Sequence, residues 1–246
     1  KKIHGFKKNI KSIGSARFDL YFKKRKLKQK TKLKEKHVLF LGSSLKWNEK
    51  EALHILDNFI STNQKTYKNI KIIYRPHPKL NWREWFFNEN YSHVKIDYQI
   101  SNTKHREWPD LNYYPRLLSE CLFVVGGLTS MIIEATIFYK KYLAISYDDK
   151  NYLWNQKYVL KTRPHLKEIN TLNNIYLCNQ KKNLPKIFDK IFKESLNLSK
   201  KNKIEIDKKR NFFLYSDRLS FSERIGRHIK GIFSNEKNNY FIKIFL

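Results

Sequence analysis

The chain has 246 residues, 41% hydrophobic and 15% aromatic, enough to bury a core and too apolar for disorder throughout. Its formal charge of +29 admits nucleic acid, an anionic membrane surface or an anionic substrate as partner, and a Lys-rich coding bias would also produce it. Two cysteines, Cys121 and Cys178, form no CxxC and no metal-ligand set, and no uninterrupted apolar run is long enough to span a membrane.

Residues 1–36 carry fifteen Lys/Arg against two acids, and residues 181–210 carry eleven against four. The lead-in is basic, partly helical and interrupted by Phe18, Tyr21 and Phe22. It lacks an apolar signal core, and it lacks any recognisable nucleic-acid module, so nucleic acid is not expected as the partner. The first residue is Lys1 rather than Met, which reads as a piece of a longer protein. Residues 1–36 are taken as a basic linker or the remnant of a preceding domain, 37–210 as one α/β unit, and 211–246 as a helical segment packing back on it.

His37–Leu41 is an apolar run ending at Gly42-Ser43-Ser44, a first strand and its loop. Trp47–Ile60 has apolar residues at helical spacing. Ile70–Tyr74 is a second strand, Trp82–Phe87 a short helix and Val94–Asp97 a third strand. Leu111–Glu120 is helical, starting or kinking at Pro115. Leu122–Val125, led by a buried Cys121, is the next strand; a glycine turn and a helix over Thr129–Tyr139 follow. Tyr142–Ser146 is a further strand. Strands alternating with helices at this spacing predict a Rossmann-like, doubly wound parallel sheet whose loops share one edge. Beyond residue 150, Tyr158–Leu160 and Ile175–Leu177 read as short strands. Leu184–Leu196 reads as an amphipathic helix, Ser220–Ile232 as another, and Tyr240–Leu246 as an apolar tail.

Two strand ends carry chemistry. Arg75-Pro76-His77-Pro78 follows the second strand directly. The prolines keep the chain out of helix and hold one imidazole there, while Arg75 offers a planar donor fork suited to phosphate or carboxylate. At the other end, Gly126-Gly127 precedes Thr129-Ser130 and a helix start, a combination suited to an anion. Together these residues would surround a phosphate or diphosphate. Glu134 either accepts from ribose hydroxyls or is a solvated helix residue. Asp148 and Asp149 either bind sugar hydroxyls or cap a turn, and Arg218 and Arg224 either reach an anionic substrate or are ordinary surface arginines. No His, Cys or acid lies at metal-ligand spacing to His77, so no metal is expected. The chain also lacks the Walker and dinucleotide glycine signatures.

Three stretches in this order, YRPHP (Tyr74–Pro78), FVVGGLTSMIIEA (Phe123–Ala135) and KKYLAISYDD (Lys140–Asp149), resemble the C-terminal, nucleotide-binding half of GT-B glycosyltransferases. More narrowly they are similar to enzymes of bacterial capsular and surface polysaccharide synthesis. These include the polysialyltransferase-like and Kdo-transferase-like groups and the CDP-glycerol glycerophosphotransferases. The resemblance implies that His77-Pro78 is the family's HP motif and Thr129-Ser130 its hydroxyl pair, both on the donor phosphate. The spacing from Gly126-Gly127 to Glu134 also resembles nucleotide-sugar epimerases of the same fold, where such a Glu holds ribose. The segment from Tyr215-Ser216-Asp217-Arg218 to Arg224 is similar to the Asp and Arg near the end of the glycerophosphotransferases.

The expected function is therefore transfer of a sugar or polyol phosphate from a CMP-, CDP- or UDP-linked donor to a glycan or lipid-linked acceptor. It needs no further cofactor. Residues 37–210 would be the donor-binding domain, with His77 stabilising the departing phosphate. The basic segments would hold the protein at the cytoplasmic face of the bacterial inner membrane. The alternatives are a nucleotide-sugar 2-epimerase of the same fold and a non-catalytic basic module that binds RNA or membrane.

Overall fold

The computed structural model describes residues 13–27, 37–45, 47–77, 86, 88–97, 111–148, 150, 156–163, 166, 168–196, 200–211, 214 and 219–234. Six strands form one sheet: β1 (His37–Leu41), β2 (Lys71–Arg75), β3 (Val94–Ile96), β4 (Val124–Gly127), β5 (Tyr142–Ile145) and β6 (Ile175–Cys178). All pairings are parallel and the order is β3-β2-β1-β4-β5-β6. The strand order reverses at β1, which pairs with both β2 and β4. Leu41 is the register partner of both Arg75 and Gly126, so three strand ends meet at one point. In open α/β sheets the crevice at that point is where ligands bind.

The helices are α1 (Asp19–Leu27), α2 (Glu49–Thr62), α3 (Tyr113–Glu120), α4 (Met131–Ile137), α5 (Gln156–Thr162), α6 (Leu184–Ser195), α7 (Lys200–Arg210) and α8 (Phe221–Ser234). Successive strand residues point to opposite faces. Val38 and Phe40 accordingly join a core with Leu53, Leu56 and Ile60 of α2 and Phe188 and Ile191 of α6. Leu39 and Leu41 join a second core with Tyr21 of α1, Leu118 of α3, Ile132 and Ala135 of α4 and Val159 of α5. The result is three layers with helices on both faces of the sheet. Among the described residues, no helix is long and apolar enough to cross a membrane.

The sequence reading is corrected in several places. Tyr158–Leu160 lies within α5 and is not a strand. Three apolar residues in a row carry no periodicity that separates the two states. Cys121 follows α3 directly and is buried, whereas the strand starts at Val124. Gly126 and Gly127 are the last two residues of β4 and do not form a turn after it. The following helix is shorter than expected, Met131–Ile137. Helix α7 was not foreseen. Its residues are mostly charged, and only a narrow stripe including Ile206 and Arg210 is buried. The expected helix at Trp82–Phe87 and the tail at Tyr240–Leu246 lie largely or wholly outside the described residues.

Residues 13–27 pack on the sheet unit rather than standing away from it. Tyr21 is 3% exposed within the second core, flanked by Phe18 and Phe22. Arg25 donates to the Ile137 carbonyl at 3.3 Å and to the Tyr139 hydroxyl at 3.0 Å. The Phe221 backbone N–H donates to Asp19 at 2.6 Å, and Arg224 Nε donates to the Ile13 carbonyl at 2.8 Å.

Candidate anion-binding site

A cavity of about 380 Å³ opens at the carboxyl ends of β1, β2 and β4. Its basic side chains come from Arg75 at the end of β2, His77 just beyond it, Arg163 after α5 and Arg17 ahead of α1. Hydroxyls of Ser43, Ser44, Thr129 and Ser130 line it too, and it contains no carboxylate among the described lining residues.

Arg75 is the central group. It is 3% exposed, and its guanidinium stacks over the Tyr114 ring at 4.7 Å. Its Nε and Nη2 find no hydrogen-bond partner among the described residues. Burial lowers the pKa of Arg75, while Tyr113 and Asp97 act in the opposite sense. An arginine nevertheless remains protonated in proteins. A buried, charged group with unmet donors is costly unless a ligand meets them.

The loop after β1 is fixed by Glu49, which is fully buried at the start of α2. Glu49 Oε1 accepts from the Ser43 N–H at 2.8 Å and Oε2 from the Tyr74 hydroxyl at 2.7 Å. Burial pushes its carboxyl up to about 7, against the opposing effects of Ser43, Tyr74 and Arg75. Gly42 lets this loop lie against the strand end bearing His77, since a Cβ there would come within 2.8 Å of the His77 backbone nitrogen.

The β4 loop is fixed by Gln156, which is also fully buried. Its Oε1 accepts from the Leu128 N–H at 2.6 Å and its Nε2 donates to Ser43 Oγ at 3.0 Å. One amide thus ties the β1 and β4 loops together. Thr129 Oγ1 accepts from the Met131 N–H at 3.3 Å, and the Ser130 side chain makes no capping bond to the helix.

The expected site residues fall into three groups. Arg75, His77, Thr129 and Ser130 meet at this cavity. Gly126 and Gly127 do not line it. The close approaches they permit are internal: a Cβ on Gly126 would meet the Leu41 carbonyl at 2.6 Å, and one on Gly127 would meet Gln156 Nε2 at 2.6 Å. The N–H groups of Ile132 and Ile133 are already spent on the Thr129 and Ser130 carbonyls.

Glu134 is 1% exposed and does not line the cavity. Its Oε1 takes Nη2 of Arg17 and its Oε2 takes the Tyr21 hydroxyl. Burial raises its pKa, opposed by Tyr21, Arg17 and Arg75. It is not a solvated helix residue, because the lead-in segment returns to cover it.

The remaining expected residues lie elsewhere. Asp148 lines a separate cavity of about 400 Å³ beyond β5 and β6, with Asn179 and Lys157. It accepts from the Lys150 N–H at 2.8 Å and stands 3.8 Å from Lys157. Asp149 and Arg218 lie outside the described residues. Arg224 is 8% exposed and bonds the Ile13 and Leu219 carbonyls, at 2.8 and 2.5 Å. It fastens residues 13–27 and does not line the cavity. Arg17, Arg163, Glu49 and Gln156 were missed. Gly42-Ser43-Ser44 at a strand end was the available signal for the first loop, whereas nothing local marks Arg17 among fifteen basic residues.

No protein-family profile and no curated protein matches the sequence. Solved structures do match. A Listeria monocytogenes protein provisionally assigned as a UDP-N-acetylglucosamine 2-epimerase aligns at 14% identity with a TM-score of 0.51, over 92% of this chain and 54% of that one. The UDP-GlcNAc 2-epimerase of Methanocaldococcus jannaschii, in complex with UDP-GlcNAc and UDP, aligns at 15% identity and TM-score 0.48, over 86% and 57%. The wall teichoic acid polymerase TagF aligns at 16% identity and TM-score 0.47, over 94% and 52%. The chain therefore spans a little over half the length of each of these proteins. The first of these likenesses establishes the fold, a Rossmann-like half of the GT-B architecture.

Proposed function

We propose that the cavity binds the phosphate or diphosphate of a nucleotide-activated donor. The chain would then be the donor-binding part of an enzyme that passes a sugar or polyol phosphate to a bacterial surface polysaccharide. The observation that carries this reading is Arg75: a buried guanidinium with two unmet donors, at the point where the strand order reverses. His77 of the HP motif and the Thr-Ser pair, which suggested such a donor from sequence, line the same cavity.

The chemistry asked of these residues is charge stabilisation. As the bond to the donor phosphate breaks, negative charge grows on the leaving oxygens. Donors already fixed in place stabilise that charge without reorganising. Arg75 supplies a permanent cation and His77 supplies an N–H that its two flanking prolines hold at the strand end. Residues 1–36 and 181–210 would add attraction to anionic lipid, on the order of 1 kcal/mol per lysine near the surface. Co-sedimentation with anionic vesicles that is unchanged by high salt would count against that part.

Thermal unfolding with CMP, CDP, UDP and GDP tests the donor site. At a concentration of about 100 times Kd, a binding nucleotide adds roughly 2.7 kcal/mol and raises Tm by roughly 5–10 °C. The shift should vanish in Arg75→Met and His77→Ala. If none of the four raises Tm in the wild type, the donor reading is wrong for this chain. Conversion of free UDP-GlcNAc without acceptor would mark an epimerase instead.

A further inference from the structure

Arg17 lies 58 positions before Arg75 in the sequence and lines the same cavity. Its side chain is 53% exposed, yet one end of it is fastened: Nη2 donates to Glu134, whose side chain is 1% exposed. Glu134 is itself fixed by the Tyr21 hydroxyl on its other oxygen. An arginine has five N–H donors in a rigid fork, and the Glu134 bond occupies one of them. The rest of the segment is anchored independently, by Arg25 on Ile137 and Tyr139 and by Phe221 and Arg224 on Asp19 and Ile13. An exposed ion pair alone would need no such framework, and it would contribute little.

We infer that Arg17 is a further anion-binding cation of the cavity, that residues 13–27 are part of the site, and that Glu134 acts by positioning the Arg17 guanidinium. The inference rests on the proposed reading that the cavity takes a phosphate or diphosphate. It gives Glu134 a different task from ribose binding. The carboxylate fixes one edge of the guanidinium and leaves the other turned to the cavity. The anion is then held from two directions, by Arg75 from β2 and by Arg17 from a segment that packs over α3 and α4. Charge-assisted hydrogen bonds of this kind are worth a tenfold or greater change in affinity.

Calorimetric titration with inorganic pyrophosphate, and separately with CDP and UDP, tests this on the full chain. Arg17→Ala is expected to bind pyrophosphate at least about tenfold more weakly, with partial recovery in Arg17→Lys. Because Arg17→Ala leaves Glu134 short of a partner, the double variant Arg17→Ala/Glu134→Gln guards against misfolding and should bind equally weakly. Glu134→Gln alone should weaken binding in the wild-type background and have no effect in the Arg17→Ala background, which a merely structural role would not produce. Wild-type affinity in Arg17→Ala, with binding lost in Arg75→Met, would overturn the inference. Wild-type binding of pyrophosphate but of no nucleotide would instead sink the donor reading and leave this one standing. Binding of neither removes both.

Discussion

The Glu49 carboxylate accepts the Tyr74 hydroxyl at 2.7 Å beneath the cavity, with no part of Glu49 exposed. Burial raises its pKa from 4.5 to about 7, so between those values the folded protein keeps a proton that the unfolded chain has lost. The contribution of Glu49 to stability is therefore whole below about pH 4.5 and declines as pH rises to about 7. The loss is on the order of 3 kcal/mol. Glu49→Gln should flatten this part of the pH profile, since a neutral amide can still accept from Ser43 or Tyr74. Chemical denaturation at pH 5, 6, 7 and 8 measures it; parallel profiles for variant and wild type would contradict the assignment.

Arg75 is expected to serve binding at no benefit to the unliganded fold. Replacing a buried charge with unmet donors by an apolar side chain of similar reach is often neutral or stabilising. Stacking on Tyr114 opposes this by about 1 kcal/mol, and the interactions with Tyr113 and Asp97 act in the same sense. Arg75→Met should thus unfold within a few degrees of the wild type, or above it, while losing nucleotide-dependent protection. A large drop in Tm without ligand would show that the contacts of Arg75 with Tyr113 and Tyr114 serve the fold instead.

The glycines at the end of β4 are expected to matter for packing. A Cβ at Gly126 meets the Leu41 backbone carbonyl at 2.6 Å, and backbone of the central strand cannot readily move. Gly126→Ala should cost about 1–3 kcal/mol in urea unfolding. Gly127→Ala meets the amide of Gln156 at 2.6 Å and should disturb the bridge from Leu128 to Ser43. Its signature is weaker nucleotide binding beyond what the lost stability explains. Full binding in Gly127→Ala would show that the bridge does not shape the site.

Arg224 should act on residues 13–27 and not on ligand contacts. Arg224→Ala removes donors to the Ile13 and Leu219 carbonyls and to Asp19. The expected cost is about 1–3 kcal/mol, felt first as faster amide exchange around Tyr21. Unchanged exchange in α1 would dissociate the two ends of the described chain.

Much of the sheet was legible because each central strand is a short apolar run bounded by polar loops. His37–Leu41 and Tyr142–Ile145 are examples, with alternate residues buried on both faces. The positions of Arg75, His77, Thr129 and Ser130 followed from one rule, that loops at the carboxyl edge of a parallel sheet converge. What was illegible depends on distant contacts. The fate of Glu134 is decided by Arg17 and Tyr21, 117 and 113 positions away. The two glycines looked like a ligand-facing turn because a glycine needed for a neighbouring carbonyl and one needed for a phosphate look identical in sequence. Helix α7 escaped because its charges hide a narrow stripe that is buried by distant parts of the chain, among them α4, Tyr139 and Phe22.

The way Tyr21 seats itself also bears on where this folding unit has its edge. A chain trimmed to begin at His37 would keep every strand and every described cavity residue except Arg17. It would nonetheless uncover the Glu134 carboxylate and the apolar bed under Phe18, Tyr21 and Phe22. Such a trimmed protein would expose a sticky surface patch and tend to self-associate, although its sheet is complete.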